Sequence, residues 1–454
     1  MIFETLRDYA SHEPDRLCLR DASEALTARE VFDKAREIAP ALAALPSDRI
    51  GFYAADSVRL ILCLLASQSV GKNVCVLNRS FKPEEVAAIL QRLGTGAVVA
   101  DMPLTIPNVD VYDLGEISRL RPNHPSVESS GRAREGAITI LTTGTTGLPK
   151  AALHNWDRLM MGRHKGSGDP HTWLLAYPLN HFAGIQVLLH VLHTRGTLVV
   201  APSRDYGAII SAMCEHNVDS LSATPTFWRM IIGRMSAEQR RTLHLTQITI
   251  GGEASTAELL ERLQSHFPHA SVTQVYATTE LGTCFSVKDG LPGFPAAYLE
   301  RQVGNVQLTI ADGELYARSP ARMVTYVDGS PLPEEKDDWI ATGDMVEKIG
   351  DRVLFRGRKT EIINVGGVKV HPLKVEETVL RVPGISAARV YGRPNPVTGQ
   401  IVACDIELAA DAAETVVRDA VQRACLRELN RYEQPRHLSF VPRLDRRNEK
   451  LVRA

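Results

Sequence analysis

The run LTTGTTGLPK, residues 141–150, packs two glycines, four threonines and a terminal lysine into one turn-prone loop, directly after the apolar strand-like run 137–140. Backbone N–H groups, hydroxyls and an ammonium together make an anion cradle of the kind a polyphosphate needs. It is not the P-loop of common nucleotide hydrolases. Five residues on from Gly144 stands Pro149, where that motif requires a second glycine before its lysine. A second run, VYATTELG at 275–282, follows the strand-like residues 271–274. Here Tyr276 can stack on a base, a threonine hydroxyl can bond a phosphate, and Glu280 can hold a hard cation through oxygen. In the segment 341–377, Asp344 can accept from two ribose hydroxyls and Arg358 supplies planar donors. The chain ends in RNEKLVRA, with Lys450 two residues after Asn448.

The elements that must position these residues alternate. Strand-like runs at 49–55, 72–78 and 96–101 are interleaved with helical patterns such as 83–93, and the rhythm recurs with runs at 196–202, 218–225 and 245–252. That alternation predicts parallel strands with crossover helices. After about residue 300 the texture changes to short strands and turns, with hairpins expected at Asp312-Gly313 and within 349–358. From Lys359 a compact unit follows: strands near 361–370, 385–392 and 400–408, and helices near 373–381 and 413–429. The expected boundary lies between Gly357 and Glu361. A unit of this size is small but able to fold alone.

At 454 residues the chain exceeds a single ordinary core. Its 52 basic and 53 acidic residues leave no electrostatic footprint for nucleic acid or an anionic membrane. Seven cysteines, scattered singly, fit a reduced compartment better than a disulfide framework or a metal site. The N-terminus is charged throughout, and the longest apolar stretch, Leu60 to Ala66, falls far short of the roughly 20 residues that span a bilayer. The expectation is a soluble, cytoplasmic protein with no membrane span. The histidine pairs 190/193 and 266/269 have no carboxylate or cysteine arranged nearby and read as incidental, not as metal ligands.

Taken in this order, the four motifs resemble those of the adenylate-forming superfamily of acyl-CoA synthetases, adenylation domains and firefly luciferase. The resemblance covers nearly the whole chain. It implies an α/β fold: a large N-terminal region of β/α subdomains plus a distorted β-barrel, residues 1–357, and a small mobile C-terminal α+β domain, residues 358–454. It further implies MgATP-dependent conversion of a small carboxylic acid to acyl-AMP with release of pyrophosphate, then transfer of the acyl group to coenzyme A.

By this resemblance Thr142, Thr143, Gly144, Thr145, Thr146, Gly147 and Lys150 cover the β- and γ-phosphates of ATP. Gly251, Gly252 and Glu253 lie along the adenine, on which Tyr276 stacks. Thr279 binds the α-phosphate and Glu280 the Mg²⁺. Asp344 binds the ribose, with Arg358 beside it. Lys450 bridges the substrate carboxylate and the α-phosphate, where an ammonium between two approaching anions stabilises the growing charge. His181, in the run AYPLNHFAGIQ, matches a histidine at the acyl-pocket wall, although a histidine beside Phe182 is as readily a packed core residue. The loop 364–372, with Gly366, Gly367 and Lys369, resembles the thioester-forming motif. The acyl pocket is expected from 181–186, 223–228, 250–253 and 276–284.

Three positions depart from the family pattern: Ala277 stands in place of glycine, Thr360 in place of the hinge aspartate or lysine, and Glu449 in place of the glycine before the lysine. No acidic residue occurs in 178–187, which disfavours an α-amino acid substrate. The compact length is nearer to aryl- and succinylbenzoyl-CoA ligases than to long-chain fatty acyl enzymes. Two other readings stay open: an acyl-AMP ligase delivering to a carrier-protein thiol or an amine, and an inactive acyl-nucleotide binding relative.

Overall fold

The computed structural model describes residues 2–119, 136–142, 148–161, 170–409, 412–444, 446–447 and 450–451, the last four by their backbone alone. Two mainly parallel sheets dominate. The first has eight strands in the order Gly282–Val287, Ser271–Thr278, Gln247–Gly251, Ser220–Ala223, Thr172–Leu174, Thr197–Val199, Leu17–Arg20 and Ala25–Thr27, antiparallel only at its two edges. The second has seven: Thr325–Tyr326, Lys150–Asn155, Ala137–Thr142, Asn73–Val76, Arg49–Tyr53, Ala97–Ala100 and Asp110–Asp113. Here the strands from Ala137–Thr142 onward run parallel, while the first two pairs are antiparallel.

A shared core holds the two sheets together. Ile50, Phe52 and Val74 of one sheet and Leu19, Trp173 and Leu198 of the other belong to one buried cluster. The helices Val58–Ser69 and Phe182–His193 lie in it, and both are apolar on nearly every face, as a helix must be when no face meets water. Helix starts follow local chemistry. Thr27 and Glu30 form a capping box before Ala28–Ala44, and Thr224 with Pro225 opens Pro225–Arg234, the threonine Oγ1 accepting the Phe227 amide at 3.1 Å.

Beyond the first sheet the chain forms an antiparallel sheet in the open order Phe294–Pro295, Arg352–Arg358, Trp339–Ile349, Glu314–Arg318 and Gln307–Ala311. Both expected hairpins are present. Asp312 takes a φ of 50° at the first, and the second joins Trp339–Ile349 to Arg352–Arg358. A last sheet, with strands Val368–Val370, Ile363–Val365, Gly399–Leu408, Ile385–Asn395 and His437–Val441, carries its own apolar core against Pro372–Leu380 and Glu414–Glu428. Among the described residues no helix is long and apolar enough to cross a membrane.

Candidate active site

The expected ribose corner assembles from two sheets. Strand Ser271–Thr278 delivers Tyr276 and strand Trp339–Ile349 delivers Asp344, whose Oδ2 accepts the Tyr276 hydroxyl at 2.7 Å. Asp344 pairs in register with Arg358, and the guanidinium Nε reaches the other carboxylate oxygen at 2.9 Å. Arg358 also donates to the Thr342 carbonyl at 2.9 Å. Burial, and then the neighbouring Asp344 charge, push the Tyr276 hydroxyl well above its usual range. Asp344 in turn raises the pKa of Arg358, which stays a cation.

The Tyr276 ring, expected beside the adenine, stacks within the fold on Phe285 and Phe355, each with centroids 5.1 Å apart and planes 26° apart, and stays half-buried. Register across the Ser271–Thr278/Gly282–Val287 pair sets Phe285 opposite Tyr276, and the long hairpin brings Phe355.

Glu253 sits where the Gln247–Gly251 strand ends, and its Oε2 accepts from the Thr226 amide at 3.1 Å and the Thr226 hydroxyl at 2.7 Å. A carboxylate at the start of helix Pro225–Arg234 is favoured by the aligned peptide dipoles. Its Oε1 is buried with no hydrogen-bond partner among the described residues, an acceptor suited to an amino group. Tyr177 donates to the Gly251 carbonyl at 2.8 Å and fixes that strand end, and Gly252 follows with a φ of 80°.

The phosphate side comes from the second sheet. Thr142 and Lys150 are paired across adjacent strands, so they form the two feet of the glycine-threonine loop. Thr143, Gly144, Thr145, Thr146 and Gly147 lie outside the described residues. Arg92 braces the second foot by donating to the Pro149 carbonyl while pairing with Asp328 at 3.1 Å. The Lys150 ammonium lies over the Tyr326 ring, 5.1 Å from its centroid, and the Tyr326 hydroxyl donates to Glu280 Oε1 at 2.7 Å. Tyr326 therefore bridges the loop lysine and the expected metal carboxylate. Burial, then the Glu280 charge, raise its hydroxyl pKa and keep it a donor. The Glu280 carbonyl accepts the Met323 amide at 2.9 Å, tying the two segments a second time.

Beneath this junction lies His154, fully buried, 5.7 Å from the Phe182 ring. Burial lowers its pKa to about 4, against a raising contribution from the Thr279 backbone, so the imidazole is neutral. His181 occupies the cap position of helix Phe182–His193. Gly184 allows that helix to approach the preceding loop, since a Cβ there would stand 2.1 Å from the Pro178 carbonyl oxygen. A narrow cleft beside it is lined by Phe182, Gln186, Gly282 and Thr283, which belong to two of the four segments expected around the acyl group, and by Arg158 and Ala321.

The structure does not join every motif to this cluster. Gly366 and Gly367, with φ of 61° and 88°, and Lys369 form an exposed hairpin of the small sheet, with Asn364 Oδ1 accepting the Gly367 amide at 2.9 Å. Lys450 lies in a two-residue strand paired with Arg446–Arg447, and its side chain and Glu449 lie outside the described residues. His190 packs edge-on against Trp173, and His266 Nδ1 bonds the Arg262 carbonyl oxygen at 2.8 Å.

This arrangement agrees with the comparison of the chain with protein families, in which the AMP-binding enzyme model matches residues 6–327 and the AMP-binding enzyme C-terminal domain matches residues 374–450. The chain belongs to the AMP-binding enzyme family. Among curated members it is 23% identical to the 2-succinylbenzoate–CoA ligase of Bacillus cereus, covering 97% of this chain and 95% of that protein. It is likewise 23% identical to that of Lactococcus lactis, covering 97% and 96%. Among solved structures, the o-succinylbenzoate CoA synthetase of Bacillus subtilis with its acyl-adenylate superposes with a TM-score of 0.80 at 20% identity, covering 99% of this chain and 96% of that one. The anthranilate CoA ligase AuaEII with anthranoyl-AMP gives 0.87 at 18%, covering 100% and 95%. The shared fold is the adenylate-forming one. Within it, Tyr326, Arg92, Asp328, His154 and Arg158 carry no motif in the sequence, because only pairing between distant strands brings them to the site.

Proposed function

We propose that the chain is an AMP-forming acid–CoA ligase. A carboxylate oxygen of the acid attacks the α-phosphorus of ATP and pyrophosphate leaves. The thiol of coenzyme A, losing its proton, then attacks the acyl carbon, and AMP leaves. The observation that carries this reading is the convergence of two clusters, Tyr276–Asp344–Arg358 and Glu280–Tyr326–Lys150, on the strand end 276–280.

Asp344 accepts from the ribose, and the orphaned Glu253 Oε1 accepts from the adenine amino group. Lys150 and the loop from Thr142 hold the terminal phosphates, Thr279 the α-phosphate. The site fits Mg²⁺ through Glu280, a hard oxygen donor oriented by Tyr326. Magnesium bound with ATP supplies charge neutralisation at the phosphates. Residues 1–357 hold ATP and the acid, and 358–454 act as a lid turning about Thr360. That residue lies in the short turn Lys359–Glu361 between the two sheets, and Lys359 beside it pairs with Glu314 at 2.7 Å. Lys450 serves adenylation, and the face bearing Gly366, Gly367 and Lys369 replaces it for thioester formation. Cytoplasmic placement accords with seven free cysteines, six of them buried.

The test is a screen of carboxylic acids for ATP-dependent pyrophosphate release, with and without coenzyme A. Release with an acid alone defines the first half-reaction, and coenzyme A-dependent turnover the second. Turnover that requires a carrier protein or an amine instead of coenzyme A sinks the second half of the proposal.

A further inference from the structure

Strands Glu314–Arg318 and Trp339–Ile349 do not pair evenly: Glu314 faces Met345, and the next paired residue, Tyr316, faces Ala341. Residues 342–344 therefore bulge out of this ladder, and the ribose-side Asp344 is the last of them. A bulge strips backbone groups of their ladder partners, and here side chains take those places. Glu314 Oε1 accepts the Gly343 amide at 2.9 Å. Thr342 Oγ1 donates to the Leu315 carbonyl at 2.7 Å and accepts the Asp344 amide at 3.0 Å. Gly343 itself takes a φ of 73°, which favours glycine.

The same carboxylate has a second hold, because its Oε2 accepts the Lys359 ammonium at 2.7 Å. Asp344 and Arg358 form the pair at the open end of the long hairpin, so Gly343 and Lys359 are the residues just beyond it on either strand. Glu314 thus ties both strands where one delivers the ribose aspartate and the other leaves for the turn Lys359–Glu361. Its side chain is 4% exposed against 58% for Lys359. An exposed lysine gains little from such a pair, but a carboxylate this deep keeps its cation, since losing it would leave a desolvated charge alone.

We infer that Glu314 is a positioning residue: it aims Asp344 at the ribose through the 342–344 bulge and, by holding Lys359, makes Thr360 the first residue about which the lid turns. This rests on the ligase reading of the site and deepens it. Glu314 touches no substrate and acts through Asp344 and the hinge.

The test separates the two holds in the full-length protein. Glu314→Gln keeps an acceptor for the Gly343 amide and loses the ion pair, Lys359→Met loses the ion pair alone, and Glu314→Ala loses both. By calorimetry, MgATP binding should weaken about tenfold in Glu314→Ala and stay within about twofold in the other two. Binding of 2′,3′-dideoxyATP with Mg²⁺, which lacks the hydroxyls Asp344 accepts from, should be the same in Glu314→Ala as in wild type. Hydrogen exchange of the 358–363 backbone should quicken about tenfold in all three variants, with strand Gly399–Leu408 unchanged. If Glu314→Ala does not fold, Glu314→Asp, too short to hold both partners, takes its place. Equal weakening of ATP and its dideoxy analogue, or of neither, overturns the aiming of Asp344. Wild-type exchange at 358–363 in Glu314→Gln and Lys359→Met overturns the hold on the hinge. Wild type that binds neither nucleotide overturns the inference and the ligase reading together, whereas binding without pyrophosphate release from any acid sinks the ligase reading alone.

Discussion

The two ends of the nucleotide site are built on opposite electrostatic plans. On the ribose side, Asp344 already holds the Tyr276 hydroxyl and the Arg358 guanidinium, so its charge is compensated inside the fold. On the phosphate side, no carboxylate among the described residues closes on Lys150. Its ammonium rests on the face of Tyr326, while the hydroxyl of the same tyrosine occupies Glu280. A cation over an aromatic face is stabilised by about a kcal/mol or less at an exposed site, far less than a polyphosphate offers. One corner is therefore rigid and self-neutralised, and the other keeps a cation and an anion from cancelling until an external anion arrives.

The largest expected effect falls on the rigid corner. Asp344→Ala removes the acceptor of two charge-assisted bonds and leaves Arg358 without its counter-ion, so kcat/KM for ATP in pyrophosphate release should fall about a thousandfold. A loss under about tenfold would break the contrast, since the corner would then be structural filler. Next comes Lys450→Ala, expected to slow acyl-AMP formation about a hundredfold, comparable to losing one preorganised transition-state donor. Thioester formation from supplied acyl-AMP should be spared. Gly367→Leu should do the reverse, because a φ of 88° disfavours leucine and the side chain, in open space in this structure, would obstruct the pantetheine path. Equal damage to both steps by both variants would favour a fixed lid over a turning one.

A smaller effect isolates the tyrosine that separates the charges. Tyr326→Phe keeps the ring under Lys150 but frees Glu280, and MgATP binding measured by calorimetry should weaken about tenfold. Tyr326→Leu should cost a further few-fold. Unchanged binding in both would mean that Lys150 and Glu280 need no spacer. The smallest effect concerns stability near pH 5. His154 has its pKa lowered from 6.5 to about 4, so the unfolded chain binds the extra proton between those values. The stabilisation, at most about 3 kcal/mol, is therefore fully present above pH 6.5 and is lost as pH falls toward 4. Urea unfolding of His154→Gln should show a flatter pH dependence over that window, and an unchanged slope would rule the histidine out as its source.

Much of the architecture was legible because it is local. The helix at 83–92 shows its apolar face and its Pro83 start in the sequence, and the Asp312-Gly313 turn shows its backbone demand in two residues. The site motifs were legible for the same reason, as glycine-threonine spacing and VYATTELG are contiguous. The aromatic neighbours of Tyr276 were not legible, because Phe285 and Phe355 arrive through strand register and a long hairpin. Nothing in the residues around 326 announces a bridge to Glu280. It exists because Thr325–Tyr326 adds as an edge strand to Lys150–Asn155.

By itself the sequence determined the residue types and their order: an anion loop, a strand-end acid, an aspartate with its arginine, a late lysine, and the alternation that makes parallel sheets. These depend on neighbours within a few positions, where propensity and spacing act directly. The tertiary structure alone decided which of those charges are neutralised internally and which stay uncommitted. That choice separates Asp344 from Lys150, and it rests on pairings between strands far apart in the chain, which no local pattern encodes.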